Sequence, residues 1–249
     1  MRVLDGEYQL DPVDSRRPAR NKWLGRLVRT VAANFSEIAE HLYASGGAYV
    51  TDRHMYQLTT FHRAGNALRA LSILVENQAW DGAYGRIRYL MDCYLLLKGL
   101  NRNKQKAAEL WEKTRYEIRA RGQPGPEYRL EEEDDLGDLL GNERGKLGER
   151  DKRLYDHLSN RAMHPHTTSS ALVPGRYSST VEKDCLQFAA FFGFGILAQL
   201  VRTFSDTQAA KEIRLSVEPI IVDIWSFTNH PPPTLLREDM DLYQPSSFL

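Results

Sequence analysis

Gly82-Ala-Tyr-Gly-Arg-Ile-Arg-Tyr-Leu-Met-Asp-Cys-Tyr-Leu-Leu-Leu-Lys-Gly-Leu100 decides the fold class. Apolar side chains (Tyr84, Ile87, Leu90, Met91, Tyr94, Leu95 and Leu97) cover most of its circumference at helical spacing. A helix that is apolar nearly all round sits in the middle of a bundle. Asp81 is the expected cap at its start.

The flanking segments repeat the period. Trp23, Leu24, Leu27, Val28, Val31, Phe35, Ile38, Ala39 and Leu42 recur at steps of three and four, and Gly46-Gly47 ends that helix. Thr51-Asp52 can cap a second, with Leu58, Phe61, Ala64, Leu68, Leu71 and Val75 on one face. Asn103 opens a basic helix that stops at Gly122, before Pro124 and Pro126. Residues 122–146, with Pro-Gly-Pro, an acid run and Gly137, Gly141 and Gly145, read as a loop with room for one short helix.

A fifth helix runs from about 147 to 163, where Pro165 disfavours helical geometry at His164. The Ser/Thr-rich stretch to 180 reads as a surface loop. Thr180 is the expected cap of a long apolar helix over 181–205, and a last helix over 207–228 is kinked at Pro219. No β-alternation and no internal repeat is evident. The expectation is an all-α bundle of about six or seven helices with long loops at 122–146 and 165–180. Its organisation is an N-terminal extension over 1–22, one helical domain over 23–228 and a Pro-rich tail over 229–249.

Charge is balanced, with 33 Lys+Arg against 33 Asp+Glu, so no global basic field announces nucleic acid. Locally, residues 98–121 carry eight basic residues against Glu109, Glu112 and Glu117, and 127–138 carry seven acids against Arg129. A solvated helix beside an acidic loop and a phosphate-holding face both fit this pattern. Cys93 and Cys185 fall in apolar patterns, as buried free thiols do in a reducing compartment. Residues 1–20 hold no apolar signal region. The uncharged run 185–201, interrupted by Gln187 and Gln199, is short for a membrane span and reads as a core helix. The expected location is the cytoplasm, with no membrane contact.

No Gly-rich phosphate loop, Cys-x-x-Cys pair, His-Glu-x-x-His or Gly-x-Ser-x-Gly is present. His164 and His166, two apart across a proline, are a poor helical chelate, so neither metal nor cofactor is expected. Two polar constellations are left. Arg88 and Asp92 share a helical face and can pair inside the central helix. Ser159-Asn160-Arg161-Ala-Met-His164-Pro-His166 gathers a guanidinium and two imidazoles at a helix end. The bland reading is a structural cluster in which Ser159 and His164 bond Arg88 and Asp92. The functional one is acid–base chemistry by a histidine with Arg161 stabilising an anion.

Over about residues 56–202 these motifs resemble the HEPN superfamily of helical bundles, and most closely a branch of domains of unknown function. Arg88-x-x-x-Asp92 matches its central-helix motif, which more often ends in Glu. Leu158-Ser159…His164-Pro165 matches its later motif. Arg161 with His166 fits the nuclease signature of Arg, four to six residues, then His, although Ala162 stands where a polar residue often follows. The resemblance implies a metal-independent endoribonuclease, often of toxin–antitoxin or antiviral systems, with Arg161, His166 and His164 catalytic. Arg88, Asp92, Ser159 and Asn160 would support them, and paired subunits would complete the site. Lys104, Lys106, Lys113 and Arg115 could then hold an RNA backbone. The rival reading is a non-catalytic module that binds protein partners through 127–138 or the C-terminal tail, or senses a small ligand.

Overall fold

The computed structural model describes residues 18–44, 52–120, 131–163, 178–205 and 233–241, with two short strands ahead of them. The strands, β1 (Val3–Leu4) and β2 (Glu7–Tyr8), pair antiparallel with Val3 opposite Tyr8. That two-residue ladder is the one departure from an all-helical chain among the described residues, and it is too short to show as alternation. Among the described residues eight α-helices follow: α1 (Ala19–Ala44), α2 (Asp52–Glu76), α3 (Trp80–Arg102), α4 (Lys104–Ala120), α5 (Glu131–Gly145), α6 (Glu149–Met163), α7 (Ser179–Thr203) and α8 (Arg237–Asp241). A 3-10 turn over Thr234–Leu236 leads into α8.

The stripes expected of α1 and α2 are buried against each other, and the rings of Phe35 and Phe61 stack at 4.3 Å. Gly65 permits that contact, since a Cβ there would lie 3.0 Å from the Cβ of Phe35. The chain then reverses through a left-handed residue, Gln78, with φ 57°. The N–H of Gln78 donates to Val75 O and that of Ala79 to Leu74 O, which satisfies the carbonyls at the end of α2. Ala79, not Asp81, is the cap residue of α3, and Asp81 lies in the first turn, where an acid favours the helix dipole.

α3 is central as its composition demands, packed on α2, α4, α5, α6 and α7. Asn103 ends it and starts the next helix: its N–H donates to Gly99 O, while its Oδ1 accepts from the N–H of Lys106 at 3.0 Å. α7 is the other buried helix, capped by Ser178 in place of Thr180. By length and composition it could cross a membrane, yet 83% of its most apolar stretch is covered by the bundle, as in a core helix. Both cysteines are buried free thiols on these two helices, and burial pushes the Cys93 thiol up to about 12.

Two expectations need correction. The long loop over 122–146 contains a four-turn helix, α5. A Cβ on Gly137, Gly141 or Gly145 would meet nothing within 4 Å, so these glycines lie on its open side; Gly137 and Gly141 weaken the helix without ending it, and it ends at Gly145. Its other side reaches Gly99 of α3, where a Cβ would sit 3.2 Å from Leu139 and 3.1 Å from Glu143. The supposed C-terminal tail is the second correction, because residues 233–241 are part of the core. Leu236 and Asp239 are fully buried. Tyr94 donates its hydroxyl to Leu235 O (2.8 Å) and Asp239 (2.7 Å), Gln199 donates to both Asp239 oxygens at 3.0 Å, and Arg202 pairs with Asp239 at 2.9 Å. Asp151 of α6 accepts from the N–H of Thr234 at 3.0 Å. Leu235, Leu236 and the Asp239 carboxylate dock the segment. The expected helix over 207–228 and most of the loop over 165–180 lie outside the described residues.

Gly195 tests this packing. A Cβ there would stand 2.5 Å from Leu236 and 2.9 Å from the Tyr94 ring. Gly195→Ala should lose about 1–3 kcal/mol in urea denaturation through overpacking, and a Leu236→Ala background should recover part of that loss. Gly137→Ala, with open space around it, should gain about 0.5–1 kcal/mol.

Candidate functional site

Arg88 and Asp92 lie where α3 meets α6, and Nη1 of Arg88 donates to Oδ2 of Asp92. The expected link to the end of α6 is present: Nε of Arg88 donates to Oγ of Ser159 at 2.8 Å. Two further groups complete the cluster. Arg144 of α5 donates Nη2 to Oδ1 of Asp92 at 3.0 Å. Tyr155 presents its ring face to both guanidiniums, with the Arg88 carbon 3.6 Å and the Arg144 carbon 4.8 Å from its centroid.

Sequence reading missed both. Arg144 was hidden in the segment read as a loop. Tyr155 precedes Ser159 by one helical turn, a spacing that was legible.

Electrostatically the cluster is a compromise. The side chains of Arg88 and Asp92 retain only 16% and 21% of their exposure, so each charge loses most of its hydration. Burial, and then the Arg144 charge, bring Arg88 down to about 10. Burial pushes the Asp92 carboxyl up to about 6, against the pull of Arg144. The Tyr155 hydroxyl and Nε of Arg144 are buried without hydrogen-bond partners among the described residues. The cluster ties three helices together around one acceptor and contains no nucleophile or base positioned on another reactive group.

The remaining candidates are more dispersed. Arg161 lies on the last turn of α6 and its side chain is outside the described residues, as are His164 and His166 entirely. The helical register still carries information. Arg161 follows His157 by four residues and Ser159 follows Tyr155 by four, and positions 159 and 161 lie about 160° apart around a helix. Positions 159 and 161 therefore fall on different sides of α6. Asn160 is exposed. Lys104 is exposed and Lys106 half-buried on α4, a helix laid on α2, α3 and α5; the side chains of Lys113 and Arg115 lie outside the described residues. Among the described residues, no three His, Cys, Asp or Glu side chains gather as a metal would require.

Position 92 should need an acceptor more than a charge. Asp92→Ala, which leaves two guanidiniums short of a partner, should cost about 2–3 kcal/mol in chemical denaturation, while Asp92→Asn should cost less than about 1 kcal/mol at pH 7. With the folded carboxyl at about 6 and an ordinary value of 3.8, the folded state holds more protons between those limits. The Asp92 contribution is then full at low pH and is lost as pH rises through 6. Measured against Asp92→Asn, wild-type stability should rise on going from pH 6.5 to 4; a flat difference would refute the assignment.

Comparison of the chain with known protein families, with curated proteins and with solved structures found no match.

Proposed function

We propose that the chain is a HEPN-type, metal-independent endoribonuclease whose working residues are Arg161 and His166, with His164 beside them. The observation that carries this reading is the anchoring of α6. Arg88 holds Ser159, two residues ahead of Arg161, so the polar segment leaves a helix end fixed on the central helix. On this reading a histidine takes the proton of a ribose 2′-hydroxyl as it attacks the adjacent phosphorus, the 5′-oxygen leaves, and Arg161 stabilises the charge gathered on the phosphoryl oxygens. Two copies of the chain would bring two such pairs together, and α4 would hold the RNA backbone. A cytoplasmic toxin–antitoxin or antiviral role belongs to the same proposal.

A second reading has its own support. Arg88 is fully engaged by Asp92, Ser159 and Tyr155, which is what a structural polar core looks like. In that case the protein is a non-catalytic helical module, and the acidic 127–138 stretch, most of it in the first turns of α5, or the C-terminal tail is the face offered to partner proteins.

An RNA panel assayed at low and physiological salt separates the two. The enzyme reading expects cleavage that survives EDTA and leaves 2′,3′-cyclic phosphate and 5′-hydroxyl ends. Arg161→Ala and His166→Ala should abolish it with helical content unchanged, whereas His164→Ala should also lose stability. If no RNA is cut at either salt, the module reading stands.

A further inference from the structure

Among the described residues, the exposed large hydrophobics are Ile73 of α2 and Tyr89 of α3, and Tyr89 leaves 37% of its surface to solvent. The way the two helices run fixes its neighbours. α2 and α3 are antiparallel about the turn at Gln78, and a Cβ on Gly82 would meet Leu74 at 3.1 Å. With equal rise in both helices, that pairing brings Arg63 level with Cys93, one turn beyond Tyr89. Arg86 lies one turn before it, and both arginines are exposed. The three side chains form a row of guanidinium, ring and guanidinium about 10 Å long.

The electrostatics agree with that placement. Burial and then the Cys93 sulfur raise the pKa of the Tyr89 hydroxyl, while the charges of Arg63 and Arg86 oppose them, so both guanidiniums act on this one side chain. The Cys93 thiol, raised chiefly by burial, feels Arg63 too. The described carboxylates of α2 and α3 are placed elsewhere. Glu76 pairs with Arg29 at 2.8 Å, Asp92 accepts from Arg88 and Arg144, and Asp81 lies about 140° round α3 from Arg86. The row also adjoins the end of α6. Arg88, next to Tyr89, donates to Ser159, whereas Lys104 starts α4 about 20 Å further along α3.

From this row we infer that the α2–α3 face holds a single strand of RNA: one base stacks on the exposed Tyr89 ring, and Arg63 and Arg86 take the phosphates on either side of it. An aromatic ring accepts any base because every base has a π-face, and a guanidinium forks a phosphate with two parallel hydrogen bonds. Paired bases are stacked on their neighbours and cannot reach the ring, so a duplex is disfavoured. A lipid surface fits less well, since binding to it scales with buried apolar area and Ile73 is the one large aliphatic side chain exposed among the described residues. That the strand is RNA rests on the ribonuclease reading; the contacts themselves, one base face and two phosphates, do not depend on cleavage.

Fluorescence anisotropy of the full chain tests the assignment with a labelled 2′-O-methyl oligoadenylate of about twelve nucleotides, a length typical of single-strand sites. Its methylated 2′-oxygen cannot attack phosphorus, so binding is read without cleavage. The strand should saturate at low salt, and the same backbone without bases should bind about tenfold more weakly, the loss expected for one stacked base. Tyr89→Leu should make the two bind alike, and Tyr89→Phe should restore the difference. Arg63→Gln with Arg86→Gln should keep the preference for bases but lower the slope of log affinity against log salt by about 1.4, two phosphate contacts' worth. Both arginines are exposed, so this variant keeps the fold and decides the matter if Tyr89→Leu is unstable. No saturable binding, variants that bind like wild type, or capture by vesicles of phosphatidylcholine and phosphatidylglycerol in place of the strand would overturn the proposal. Strand binding that depends on the row while no RNA is cut leaves this face standing without the ribonuclease; cleavage with strand binding unaltered in the variants does the reverse.

Discussion

The close approach of α3 and α7 at Tyr94 and Gly195 is the constraint on which the bundle rests. Removing one Cβ lets the Tyr94 ring lie almost on the backbone of α7, with Leu236 closing over it. That geometry buries the Tyr94 hydroxyl, which must then find acceptors, and it finds Leu235 O and Asp239. A carboxylate so buried needs donors of its own, and Gln199 and Arg202 supply them. One apolar contact thus dictates a chain of polar ones, and together they recruit a segment about 145 residues further along the chain.

The buried carboxylates of this fold sit at junctions between helices. Asp92 joins α3 to α5 and, through Arg88, to α6; Glu143 joins α5 to the end of α3 through Arg102 at 2.9 Å; Asp239 joins α8 to α7. Packing alone can leave neighbouring helices free to slide by a turn, whereas a buried acceptor with several fixed donors accepts one register. This is the physical content of the structural reading of Arg88, and an enzyme built at the end of α6 would inherit the same rigidity. The two readings share a scaffold and differ in what Arg161 and His166 do beyond it.

Much of the helical order was legible, for a simple reason. In α1, α2, α3 and α7 one or more apolar stripes persist for six or seven turns, so local chemistry and tertiary burial agree. The Arg88–Asp92–Ser159 link was legible because charges in an apolar helix must be answered and few residues could answer them. α5 was not, since three glycines face solvent and its contribution to the core is little more than Leu139, Leu140 and Glu143. The role of 233–241 was also hidden. Its partners, Tyr94, Gln199 and Arg202, lie far away in the chain, and three prolines give the local stretch the look of a tail. Gln187 and Gln199 stood out in the sequence as interruptions of an apolar run. Gln187 lines the groove between α6 and α7, and Gln199 is the donor to Asp239.

The two thiols make the opening of the core readable from outside. Cys93 on α3 and Cys185 on α7 are buried in the bundle, and burial holds the Cys93 proton far above neutral pH. A thiolate is the reactive form, so alkylation of either sulfur must wait for the helices to part. The labelling rate of an unmodified chain is then a clock for opening of its centre. The signal reports opening of the core around these two sulfurs without a probe having to be introduced.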